Sequence, residues 1–235
     1  MKTPILDDMI FQAADAFTDI LGNRRGNPNN DEPDILLAPM SFTRTLFKDG
    51  LPSGLTLITG DSGSGKSVSA VVLAAEAAEE GRKVFYLDPD ASNIQDLISA
   101  QTASENIHVM RPITGFLENE RNTLLEIPAD VIIIDSLESA FGRDLPHYVL
   151  EQTKAVLELS HKANLTVIGT CKDYGWLVNG LKTPAVSKTP FILATNRKDG
   201  ISTSEIICKT VQWQGQLPRQ VALSFDWETL KSKLR

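Results

Sequence analysis

The stretch Leu55 to Ala70, LTLITGDSGSGKSVSA, constrains this chain more than any other. Five apolar-leaning residues, 55–59, read as a buried strand. A run of small residues follows, Gly60-Asp61-Ser62-Gly63-Ser64-Gly65-Lys66-Ser67-Val68, and then a helix-like segment over 67–80. Gly60, Gly65, Lys66 and Ser67 satisfy G-x-x-x-x-G-K-[ST], in the strand-to-helix setting which that pattern needs. Glycines let the backbone approach phosphate oxygens, and the loop N–H groups with the helix N-terminus supply positive potential. Lys66 is suited to the β- and γ-phosphates, and the Ser67 hydroxyl to a Mg²⁺ ion. The expected cofactors are therefore ATP or another nucleoside triphosphate, with Mg²⁺.

A strand that feeds such a loop belongs in a parallel sheet, and the rest of the chain alternates accordingly. Strand-like runs lie at 83–88, 107–110, 131–135, 165–170 and 190–195, with helix-like runs at 92–103, 118–126 and 147–163 between them. Short apolar strands alternating with helices predict an α/β fold, a mostly parallel sheet covered on both faces. The last forty or so residues alternate about a turn-like QGQLP and predict a C-terminal antiparallel hairpin on one edge. Ahead of this, residues 5–21 have helical apolar spacing. Residues 22–34, rich in Gly, Asn, Pro and charge, read as a linker. The expected division is 1–34 for the N-terminal helix and linker, and 35–235 for the α/β domain.

Composition excludes several classes. With 42% hydrophobic and 23% charged residues the chain is an ordinary globular sequence. No apolar run approaches the roughly 18 residues of a membrane span, and the first residues lack the pattern of a secretory signal. Two cysteines, Cys171 and Cys208, make neither a disulfide framework nor a zinc site, so a cytoplasmic setting is expected. A net charge of −7 argues against a uniformly basic coat for nucleic acid, but leaves room for a local basic loop.

Three acids are placed to work with the cradle. Val131 to Ile134 end in Asp135, a carboxylate at the C-terminal end of a buried strand, where open α/β sheets bind ligands. Asp135 is the candidate second ligand for Mg²⁺, directly or through water. The strand after the cradle helix ends in Asp88 and Asp90, and either suits a general base that orients water for attack on a γ-phosphate. The arginine-rich lid of a small-molecule kinase is not present. Asn196, Lys198 and Asp199 do not stand in the N-K-x-D order that reads guanine.

Taken together, DGLPSGLTLITGDSGSGKS, VFYLDPDAS, VIIIDSLESAFGRD, LTVIGTCKD and the C-terminal hairpin resemble, in order and spacing, the motifs of RecA-like ATPases over roughly residues 50–226. The resemblance implies that Lys66 and Ser67 serve the cradle and Asp135 the metal. It places the catalytic acid, usually glutamate, on Asp90, with Asp88 as competitor. It places the γ-phosphate sensor, usually an amide, near Thr170 to Lys172, where this chain has none. Ring-forming members insert a basic finger from the neighbouring subunit, for which Arg219 is favoured, with Lys209 second and Arg197 also in the region. The segment Cys171 to Lys188, with Lys172, Lys182 and Lys188 and two aromatics, is the expected contact for single-stranded nucleic acid, with Phe141 to Tyr148 as a second loop.

The implied function is an ATP-hydrolysing motor on single-stranded RNA or DNA, working as a homo-oligomer, expected to be a hexamer, with no membrane partner. A replicative helicase and the packaging NTPase of double-stranded RNA bacteriophages both fit the pattern, the latter with a virion location. A recombination-associated ATPase is a further option. An ATP-gated assembly or regulatory protein with little hydrolysis is the alternative from another class, because Asp90 is a short acid and the sensor amide is missing.

Overall fold

The computed structural model describes residues 42–47, 50–91, 94–99, 103–118, 121–142, 145–172, 175–181, 191–199, 203–210 and 220–226. The expected N-terminal helix and linker lie outside these residues. In chain order the elements are α1 (Phe42–Leu46), β1 (Gly54–Thr59), α2 (Lys66–Glu79), β2 (Val84–Leu87) and α3 (Ile94–Ser99). After these come β3 (Ile107–Met110), β4 (Val131–Ile134), α4 (Leu137–Phe141), α5 (Pro146–Lys162) and β5 (Thr166–Cys171). Last come α6 (Gly175–Leu181), β6 (Phe191–Asp199), β7 (Thr203–Thr210) and β8 (Gln220–Asp226).

The eight strands form one sheet in the order β3-β2-β4-β5-β1-β6-β7-β8. From β3 to β6 all neighbours are parallel, and β6, β7 and β8 continue as an antiparallel meander. This is the α/β architecture read from the sequence, including its added hairpin.

Alternation along the strands divides the core in two. Ile58, Val84, Tyr86, Val131, Ile133 and Ile168 face one side and pack on α2 through Ala70, Val71, Leu73, Ala74 and Ala77. Leu55, Leu57, Leu87, Ile132, Ile134 and Val167 face the other and pack on α4 and α5 through Leu137, Phe141, Val149, Val156 and Leu157. Strands buried on both faces must be apolar at consecutive positions, which is why Val131 to Ile134 are each fully buried.

Some local expectations are to be set against the structure. Among the described residues of 118–126 there is a 3-10 turn, Arg121–Leu125, and no α-helix, and Pro128 disfavours helical backbone at Ile127, just beyond it. Of the helix expected over 92–103, the described residues show Ile94–Ser99 as α3. The segment after β5, expected as a loop, contains α6. Leu177 and Leu181, four apart, are both fully buried there, and Gly180 lies so close to Leu150 that a Cβ would come within 2.7 Å of its Cδ2. The stretch expected as a second loop, 141–148, includes the end of α4 and the first residues of α5, with Phe141 buried in the core.

Candidate nucleotide site

The cradle joins β1 to α2. Gly65, at φ 96°, caps α2 in the left-handed region, where a side chain would add strain. Gly60 is required by proximity: a Cβ there would stand 2.5 Å from Ser64 Oγ and 2.7 Å from the Thr195 carbonyl. The Lys66 ammonium donates to the carbonyls of Gly60 at 2.9 Å and Asp61 at 2.8 Å, so it lies across the mouth of the loop. Asp61, Ser62 and Gly63 are exposed; Ser64 is buried, and Ser67 and Val68 are half-buried at the start of α2.

Ser64 ties the loop to a strand far away in sequence. Its Oγ is 2.7 Å from Thr195 Oγ1 on β6, and Thr195 Oγ1 donates to the Thr59 carbonyl at 3.1 Å. A hydroxyl carries one hydrogen, so Ser64 is the donor in the first contact. β6 pairs with β1 through Thr59 and Ala194, which sets Thr195 beside the start of the cradle.

Asp135 follows β4 on the same sheet edge. Its side chain shares the α2 face with Val131 and Ile133 by period-two alternation, and only 6% of its surface is exposed. Tyr86 Oη donates to Asp135 Oδ2 at 2.7 Å, and Thr170 Oγ1 donates to Oδ1. The register explains the second contact: Ile134 pairs with Gly169, so Asp135 and Thr170 stand level. Burial first, then the Asp135 charge and its hydrogen bond, then Asp88, hold the Tyr86 phenol well above its ordinary pKa. The peptide bond between Asp135 and Ser136 is cis.

The two acids after β2 have different surroundings. Asp88 is fully buried, and its carbonyl accepts from the Ala91 N–H at 3.2 Å, which turns the chain. Asp90 is carried outward by that turn. Its carboxylate accepts from Ser136 Oγ at 3.2 Å and from Ser139 Oγ, both at the start of α4. The same short helix carries Glu138, which is buried and accepts from the Lys172 N–H at 2.7 Å where the chain leaves β5. Lys172 itself is exposed.

The structure thus brings Lys66, Ser67, Asp88, Asp90 and Asp135 to the C-terminal edge of the parallel strands. Lys209 lies farther along the sheet on β7, paired with Ala194 of β6. Arg219, Lys182 and Lys188 lie outside the described residues. Sequence reasoning passed over Tyr86 and the Ser136–Ser139 pair as site residues. The period-two spacing of Tyr86 and Asp88 was a signal for the first, while the second depends on strand adjacency.

Among the described residues no group of three or more His, Cys, Asp or Glu is placed to hold a metal ion. The donors present, a serine hydroxyl and one buried carboxylate, are hard oxygens. They suit Mg²⁺, which takes one or two protein oxygens and completes its shell with phosphates and water.

No family model matches the chain. Among curated proteins, the DNA repair protein RadA of Chlamydia muridarum is 33% identical over 146 residues, 60% of this chain and 32% of that protein. The protein of the same name from Listeria monocytogenes is 24% identical over 164 residues, 62% of this chain and 35% of the relative. The chain therefore spans about a third of the length of these relatives. Among solved structures, the flagellar accessory protein FlaH of Methanocaldococcus jannaschii superposes with a TM-score of 0.53 at 16% identity, over 76% of this chain and 88% of FlaH. With the sheet order and the loop between β1 and α2, this likeness shows that the chain has a RecA-like P-loop fold.

Proposed function

We propose that the chain is a Mg·ATP-hydrolysing RecA-like ATPase acting on single-stranded nucleic acid as a homo-oligomer. The observation that carries this reading is the convergence of Lys66, Ser67, Asp135 and Asp90 at one sheet edge. Lys66 and the cradle N–H groups bind the β- and γ-phosphates. Ser67 and Asp135 hold Mg²⁺, which neutralises charge that develops on the phosphates. Asp90 is the favoured base: it is exposed and aimed by two hydroxyls, whereas Asp88 is fully buried.

A basic residue from a neighbouring subunit, Arg219 before Lys209, completes the charge stabilisation. Lys172, with Lys182 and Lys188, grips the backbone of the strand. Both relatives described above are named as DNA repair proteins. That supports a DNA substrate and a recombination-associated role over the helicase and RNA-packaging roles. The test is Asp90→Asn: turnover falls by two orders of magnitude or more, while a fluorescent ATP analogue still binds. Full turnover in that variant would remove Asp90 from the mechanism.

The ATP-gated assembly reading keeps one observation in its favour. Thr170, in the region where the resemblance expects a sensor amide, donates to Asp135. Slow hydrolysis indifferent to every polynucleotide, together with ATP-dependent oligomerisation, would support it.

A further inference from the structure

Tyr86 is fully buried and Asp135 nearly so, and their contact crosses between neighbouring strands. β2 and β4 pair Tyr86 with Ile133. Asp135 lies two residues farther along β4 on the same face, a rise of about 6.6 Å. A tyrosine side chain is about that long, so a ring lying along the sheet brings its hydroxyl level with the carboxylate. A shorter polar side chain at residue 86 would stop beside Ile133.

We propose that Tyr86 is a positioning residue for the divalent cation: its hydroxyl fixes the rotation of the Asp135 carboxylate toward the metal that accompanies the nucleotide. The inference rests on the nucleotide reading above. Tyr86 binds one carboxylate oxygen and Thr170 the other, so the carboxylate plane is held from two strands. An ionised carboxylate has about four acceptor sites, and two hydroxyls leave the rest for a metal or its water. Both donors are neutral. A lysine or arginine would hold the carboxylate as firmly, but would cancel the negative charge that attracts the cation. Partners of this kind, one step removed from the metal, typically contribute 10- to 100-fold in metal affinity or activity.

The competing explanation is mutual satisfaction of two buried polar groups, with no consequence for the metal. Tyr86→Phe separates the two, since it removes one oxygen and keeps the ring. The readout is the ratio of affinities for a fluorescent, non-hydrolysable ATP analogue in Mg²⁺ and in EDTA. The ratio is expected to fall about tenfold or more in Tyr86→Phe, and a ratio equal to wild type would overturn the proposal. Absence of any Mg²⁺ gain in wild type would overturn the nucleotide site and this inference with it.

If Tyr86→Phe does not fold, the wild-type chain labelled with 3-fluorotyrosine supplies the second measurement. It has three tyrosines, so Tyr148→Phe and Tyr174→Phe assign the Tyr86 resonance. Adding Mg²⁺ to the nucleotide complex should shift that resonance, and an unmoved resonance would overturn the role.

Discussion

Ser64 in the cradle and Thr195 on β6 share a 2.7 Å hydrogen bond although 131 positions separate them in sequence. Thr195 Oγ1 donates its own hydrogen bond to the Thr59 carbonyl, so one buried hydroxyl fastens both the end of β1 and the loop that leaves it. Thr195→Val keeps the shape of the side chain, removes the acceptor of Ser64 Oγ and takes one donor from the Thr59 carbonyl. Unsatisfied buried groups cost about 1–3 kcal/mol each. We expect nucleotide affinity to fall about tenfold, read by fluorescent nucleotide titration. An unchanged affinity would show that the cradle holds its form without β6.

Gly60→Ala acts at the same junction by sterics. The new Cβ would meet Ser64 Oγ at 2.5 Å, Thr195 Oγ1 at 2.6 Å and the Thr195 carbonyl at 2.7 Å. The last of these is backbone and cannot swing aside. Loss of nucleotide binding with the circular dichroism spectrum retained is the expected outcome, and wild-type binding would mean that the β1–β6 spacing yields.

Glu76 on α2 accepts from the N–H groups of Phe42 at 2.5 Å and Thr43 at 2.6 Å. These are first-turn donors of α1 that have no partner within the helix. Hydrogen bonds to charged groups contribute about 1.5–3 kcal/mol each, so losing both in Glu76→Ala should lower Tm by about 6–24 °C. Glu76→Gln, which retains an acceptor, should fall between. Equal Tm values for all three proteins would remove this contact from the stability of the entry segment.

How much could be read without coordinates depended on how local the determining contacts are. Val131 to Ile134 announced a buried strand because four consecutive apolar residues have few other uses, and the cradle announced itself because its glycines and lysine act within nine residues. α6 was hidden by Gly175 and Gly180, poor helix formers on either side of Leu177; Gly180 fits because it lies against Leu150, on a different helix. Tyr86 in KVFYLD passes for a core aromatic until β2 and β4 are known to be neighbours. The contact of Asp90 with Ser136 and Ser139 depends on the same adjacency, which no spacing within either motif encodes.

His108, on the edge strand β3, packs its ring against Phe85 with centroids 4.8 Å apart and the planes tilted by 50°, and burial lowers its pKa below 6.5. The unfolded chain then takes up a proton at a higher pH than the folded chain. Stability from this group is complete above about pH 6.5 and is lost as pH falls through that value toward the folded pKa. The drop in Tm between pH 7.5 and about pH 5.5 should therefore be smaller in His108→Phe than in wild type. An identical drop would show that other groups govern the acid limb.

The measurement that tests the central claim most directly is the steady-state ATPase rate of the full chain in Mg²⁺. It should be taken alone and with single-stranded DNA, single-stranded RNA and duplex DNA. The account predicts several-fold stimulation by a single strand, greatest with DNA, abolished in Lys66→Ala. In Arg219→Ala turnover should also be lost, with ATP binding retained. A slow rate, flat across all four conditions, would contradict the motor reading and favour an ATP-gated assembly protein.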